Sequence, residues 1–138
     1  GRSPRPGRMT VDQAVEGVLA AVMNVFDGAD LAVSAAAVER AIAAGRVLVV
    51  RSDADTVLGA LLVQQRDGNT DIEAIAVRPG RRGQGFGTAL VEAAVDRWAP
   101  LFARFDSAVW PFYRSLGFQP VDIRATNERM AAVRLTSE

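Results

Sequence analysis

The sequence predicts an α/β (α+β) domain, a mainly antiparallel sheet with helices packed against it, and three features carry that prediction. Helical periodicity opens the chain. Three apolar, β-branched runs joined by tight turns follow it, and the third then breaks into a Gly-rich loop that leads a long amphipathic helix. A length of 138 residues suits one such domain, burying roughly two thirds of the surface its unfolded form would expose.

Val11, Val15, Val18, Val22 and Phe26 recur at helical spacing, which predicts an amphipathic helix from Thr10, a suitable N-cap, to about Asp27. A second, Ala-rich helix is expected from Ser34 to Ala44, with Gly45 as its stop. RVLVVR (Arg46 to Arg51) and TVLGALLVQQR (Thr56 to Arg66) read as interior strands joined by the turn Ser52-Asp53-Ala54-Asp55. Asp67-Gly68-Asn69 turns the chain again into Thr70 to Val77, so the three strands form an antiparallel meander. Arg78-Pro79-Gly80 breaks it. From Gly85 to Trp98, Phe86, Leu90, Val91, Ala94, Val95 and Trp98 make one apolar helical face, and Pro100 ends the helix. A short strand from Leu101 to Asp106, a brief helix around Trp110 to Leu116, and a closing hairpin of Phe118 to Arg124 with Met130 to Thr136 complete the expected order.

Gly1 to Arg8, rich in Arg, Pro and Gly, read as a flexible tail ahead of a single domain over 9–138. They lack the apolar stretch of a secretory signal, and no apolar run reaches the ~18 residues of a spanning helix, so a cytoplasmic protein is expected. With 16 basic and 16 acidic side chains the net charge is zero, and neither nucleic acid nor membrane is an expected partner. Every basic residue is Arg. The absence of Lys, His and Cys excludes a protein Schiff base, a P-loop lysine, Cys or Ser-His nucleophilic catalysis and Cys/His metal sites, so no metal is expected. Any acid or base must then be Asp, Glu, Tyr, Arg, a terminus or water.

A strand, a Pro-Gly break, a Gly-rich loop and a long helix place backbone N–H groups at a helix N-terminus, where unpaired donors and about half a positive charge suit a diphosphate. Gly83, Gly85 and Gly87 remove Cβ atoms that would hold an anion away, and Arg81 and Arg82 add charge. A dinucleotide fingerprint competes for this loop. Thr88 stands where its third Gly should be, and the preceding strands are hairpin-linked rather than parallel.

This loop resembles that of the GCN5-related N-acetyltransferase (GNAT) superfamily, whose pattern of Arg or Gln, two residues, Gly, one residue, Gly or Ala is matched by Arg82, Gly85 and Gly87. AIAVRPGRRGQGFGTALVEAA is similar to the family's fourth strand, loop and third helix as one block, and PFYRSLGFQPV (Pro111 to Val121) is similar to its second signature. The family also begins with a strand, which the periodicity of this N-terminus does not predict. The resemblance implies a mixed, mainly antiparallel sheet flanked by helices, the acyl-CoA N-acyltransferase fold, with acetyl-CoA lying where two parallel strands splay apart. Backbone groups of Ile75, Ala76 and Val77 would pair with the pantetheine arm, and the loop Arg82, Gly83, Gln84, Gly85, Phe86, Gly87 and Thr88 would hold the pyrophosphate. Asp106 falls where the family often has an Asn that bonds the pantetheine amides; an ionised Asp accepts but cannot donate.

The resemblance further implies direct attack of a primary amine on the thioester, with a base taking its proton and a Tyr protonating the thiolate. Tyr113, the one Tyr in the chain, falls at the position of that acid. Family bases often come from the fourth strand, where strict alternation would put Asp71, Glu73, Ile75 and Val77 on one face, with Glu73 nearer the splay. The expected function is acetyl transfer from acetyl-CoA to an amine of a small molecule or peptide. The rival is a non-catalytic acyl-CoA sensor or regulatory module. Homodimers are common among the relatives.

Overall fold

In the computed structural model, which describes residues 10–29, 33–121 and 129–135, the chain opens with a strand, β1 (Thr10–Gln13), and not with the helix expected from Thr10. β1 pairs antiparallel with β2 (Val47–Arg51), from Thr10 opposite Arg51 to Gln13 opposite Leu48, and the Ala14 N–H donates to the Val47 carbonyl at 2.9 Å. The physical reason is that β-branched Val11 suits a pleated surface at least as well as a helical turn. A ladder to the edge of an apolar strand also satisfies backbone groups that a first helical turn leaves unpaired. Val15, the next residue of the supposed stripe, is 61% exposed. The helix itself, α1 (Leu19–Gly28), starts only after a 3-10 turn and buries Val22, Val25 and Phe26.

The next elements follow the sequence closely. α2 (Ala35–Ala43) is capped by Ser34, whose Oγ accepts from the Ala37 N–H at 3.1 Å, and the chain leaves it through Gly45 at φ +76°. β2, β3 (Val57–Arg66) and β4 (Asn69–Val77) form the antiparallel meander, with Asp67 and Gly68 both at positive φ in the tight turn. α3 (Phe86–Trp98) crosses back to β5 (Leu101–Asp106), which lies parallel to β4. α4 (Trp110–Ser115) is followed by β6 (Gln119–Pro120) and β7 (Arg129–Arg134), paired antiparallel as the expected hairpin. Within the described residues that hairpin is shorter than expected. Residues 122–124 and 136 of it lie outside them, as does the predicted tail. The described strands make one mixed sheet in the order β1-β2-β3-β4-β5-β7-β6.

Each face of this sheet carries its own core. Leu90, Val91, Ala94 and Val95 of α3 pack on Leu48, Leu61, Val63 and Ile72, while α1 and α2 cover Val47, Val49, Leu62, Ala74 and Ala76 on the other side. Gly59 lets α3 sit close: a Cβ there would stand 3.0 Å from the Ala76 carbonyl oxygen and 3.3 Å from Leu90 Cδ1.

A buried cation ties the far end together. Arg134, 5% exposed, pairs through Nη1 with Glu92 of α3 at 2.8 Å and donates to the Leu116 carbonyl, just past α4, at 2.8 Å. Arg134→Ala is expected to lower the unfolding free energy by about 1–3 kcal/mol, because it removes the donor to the Leu116 carbonyl and opens a void under Gly117, while the partly exposed Glu92 carboxylate passes to water. Urea titration of the two proteins measures the difference; equal midpoints would show that the bridge contributes nothing.

Candidate active site

β4 and β5 are hydrogen-bonded partners only from Thr70 opposite Leu101 to Ile72 opposite Ala103. Beyond that point β4 runs on to Val77 and β5 to Asp106 with no pairing between them, so the sheet opens into a gap. The backbone edge of Glu73 to Val77 that faces the gap is therefore free of β5.

A register shift in the β3–β4 ladder sits at the apex of this gap. Leu62 opposes Ala74 and Val63 opposes Ile72, which leaves Glu73 as an extra, bulged residue. This corrects the expected sharing of one face by Asp71, Glu73, Ile75 and Val77. Ile72, Ile75 and Val77 belong to the α3 side, and Ala74 and Ala76 to the α1–α2 side. Asp71, next to Ile72, is directed away from α3, and Glu73 opens into a hollow beside α2 together with Arg40 and Arg46. Strict alternation fails because one bulged residue shifts the parity of every side chain beyond it.

On the α3 side the gap continues into a groove of about 390 Å³, within the range of small-molecule sites. One wall is Ile75, Ala76 and Val77; the rim is Arg81, Arg82, Gly83 and Gly85; the floor is Phe86, Gly87 and Thr88 at the start of α3. Gly83 and Gly85 sit at φ +80° and +87°, backbone that other residues adopt only under strain, and a Cβ at either would meet no atom within 4 Å, so the space beside them is open. Gly85 is the N-cap of α3. No side chain caps this helix and its first turn holds no acidic residue, so the first N–H groups remain available to an anion. Arg78 anchors the break after β4 by donating through Nε to the Val57 carbonyl at 2.8 Å, and Arg82 folds back on the Val77 carbonyl at 3.2 Å.

Of the residues expected to bind the cofactor, the groove brings together Ile75, Ala76, Val77, Arg82, Gly83, Gly85, Phe86, Gly87 and Thr88. Gln84 is exposed and stands outside it. Asp106 also stands outside: its Oδ1 accepts from the Ala108 N–H at 2.9 Å and caps the turn that follows β5. Four lining residues escaped the sequence reading. Ala29, at the end of α1, carries no local signal, whereas Phe112, Ser115 and Leu116 lie within the very segment that pointed to Tyr113.

Tyr113 itself is 9% exposed and lies beside the groove rather than on its wall. Its ring stacks on Phe105 of β5 with centroids 4.2 Å apart and meets Phe118 edge-on at 5.4 Å. Burial pushes its phenol up from 10.0 to about 12, and no described residue hydrogen-bonds its hydroxyl. Trp110 extends the stack onto Phe105, in keeping with a packing role. Among the described residues no group of three or more His, Cys, Asp or Glu could hold a metal ion, and no helix is long and apolar enough to cross a membrane.

The sequence profile described as "Acetyltransferase (GNAT) domain" matches residues 43–120, from the end of α2 to β6. No curated protein matches the chain. Among solved structures, an acetyltransferase of the GNAT family from Bacillus cereus is similar with a TM-score of 0.81 and 16% identity, over 96% of this chain and 100% of that one. The PaiA N-acetyltransferase of Thermoplasma acidophilum, solved in complex with coenzyme A, gives 0.74 and 12% over 93% and 99% of the two chains. The ribosomal-protein-S18-alanine N-acetyltransferase of Escherichia coli gives 0.66 and 21% over 91% and 90%. The profile spans the meander, the Gly-rich loop, α3 and the opened strand pair, and with that match over more than half of its length the chain belongs to the GNAT family of acetyltransferases.

Proposed function

We propose that this GNAT protein moves an acetyl group from acetyl-CoA to a primary amine by direct transfer. The observation that carries the reading is the gap between β4 and β5 leading straight to the uncapped, Gly-rich N-terminus of α3. A free strand edge can pair with the amide groups of an extended pantetheine arm, and helix donors with Arg81 and Arg82 suit its diphosphate. In this reading Glu73 takes the proton of the amine, whose nitrogen forms the new bond to the thioester carbon. The carbon–sulfur bond breaks, and Tyr113 protonates the sulfur. What supports these roles is that Glu73 sits at the apex of the gap and that Tyr113 stacks on Phe105 of β5, the strand on its other side. The balanced charge supports an acceptor that is neither nucleic acid nor membrane, and a cytoplasmic setting belongs to the same reading.

A second reading is an acyl-CoA sensor without turnover. It is favoured by one observation, that neither Glu73 nor Tyr113 lines the groove. Thiol release from acetyl-CoA, measured against peptides, amino acids, polyamines and aminoglycosides, separates the two, and a chain without Cys adds no background thiol. Release above the hydrolysis blank with one acceptor class is the expected result. Silence with calorimetric binding of acetyl-CoA would leave the sensor standing, and silence without binding would overturn both.

A further inference from the structure

The hollow that receives Glu73 measures about 490 Å³ and is bordered by Arg40 from the last turn of α2, Arg46 ahead of β2, and Gln64 and Gln65 of β3. Arg46 is held in place, since its Nη1 donates to the Val63 carbonyl at 2.8 Å, and the rest of its guanidinium fork is left for other acceptors. Among the described residues neither Arg40 nor Arg46 lies within ion-pairing distance of a carboxylate, so Glu73 does not neutralise them although it shares their hollow. Two guanidinium groups and one separate carboxylate are complementary to a molecule that carries both an ammonium and a carboxylate. The fork geometry of Arg matches a carboxylate, and the Gln amides can bond a polar remainder.

The place of the hollow gives this complementarity a use. Glu73 directly follows Ile72, the last residue of β4 paired with β5, so the hollow reaches the apex of the gap at this residue. An amine held at Glu73 would face the gap, while its carboxylate stayed over the end of α2.

We propose that the acceptor is an amine that also carries a carboxylate, of the amino-acid class, and that Arg40 and Arg46 select it. This rests on the acetyl-transfer reading. The test compares glycine, β-alanine, γ-aminobutyrate and glutamate, each against its amide, by thiol release and by calorimetric binding. The wild type is measured beside Arg40→Gln and Arg46→Gln, and acetyl-CoA binding in each variant reports an intact fold. At least one acid should exceed its amide in kcat/KM by about tenfold, chiefly through KM, and the ratio should fall below about threefold in both variants. An amide that reacts as well as its acid, or a preference that survives both substitutions, would overturn the proposal. The outcomes also part it from the reading beneath it. Arg-dependent binding of an acid without acetylation of any amine would keep the anion site and sink the transfer. Acetylation of other amines, with no acid bound or acetylated, would do the reverse, and absence of both would end both.

Discussion

Gly85→Glu is expected to weaken acetyl-CoA binding by at least about 100-fold in a protein that still folds. Gly85 is the left-handed N-cap of α3, at φ +87°, and a side chain there strains the backbone by about 1–2 kcal/mol. A carboxylate at a helix N-terminus returns about 0.3–1 kcal/mol through the helix dipole, so the net penalty on folding is small. The charge acts differently on the ligand, since it occupies the donors and the open space that the diphosphate needs. Gly85→Ala separates the two effects: it carries the same backbone strain without the charge, so it should lose fold stability while its acetyl-CoA affinity stays within about tenfold of the wild type. Calorimetric titration of both variants, with circular dichroism as the check on folding, measures this. An unchanged dissociation constant for Gly85→Glu would remove the loop from the binding site.

What the sequence disclosed and what it hid divide along the range of the interactions involved. The meander, the Ser34 cap and the break into α3 are written by neighbouring residues, through β-branched runs, a capping hydroxyl and the turn-forming pair Asp67-Gly68, and the structure follows them within a residue or so. β1 was hidden because Val11 and Val15 fit a helical stripe equally well. Only the edge of β2, more than thirty residues on, decides against it. The bulge at Glu73 was hidden for the same reason. It is a mismatch of register between β3 and β4, invisible in either strand alone, and it carries Glu73 to the face opposite Ile75 and Val77. Asp106, which the family resemblance sets against the pantetheine amides, caps the turn after β5 in the fold. The groove walls from Ala29 and Phe112 exist only because α1, α3 and α4 converge on the gap, which no local pattern encodes.

Tyr113→Phe is expected to lower kcat by about 100-fold while acetyl-CoA affinity stays within about twofold. The ring stacking on Phe105 and the edge contacts with Phe112 and Phe118 need no hydroxyl, so the Phe variant keeps the packing and loses only the proton. Burial holds the phenol at about 12, which keeps it protonated at any working pH. The same low-dielectric surroundings would raise the basicity of a thiolate formed beside it, so donor and acceptor stay near a match. The shift also has a consequence that does not depend on turnover. With a value of 10.0 unfolded and about 12 folded, the unfolded chain loses its proton first; the stabilisation is fully present below pH 10 and is lost as pH rises toward 12, by about 3 kcal/mol in all. Urea unfolding of both proteins at pH 9 and pH 11 should therefore show a steeper alkaline loss in the wild type than in Tyr113→Phe. Parallel losses would mean that the hydroxyl is open to water. A steeper loss with unchanged kcat would make Tyr113 a buried packing residue and move the search for the acid elsewhere along the gap.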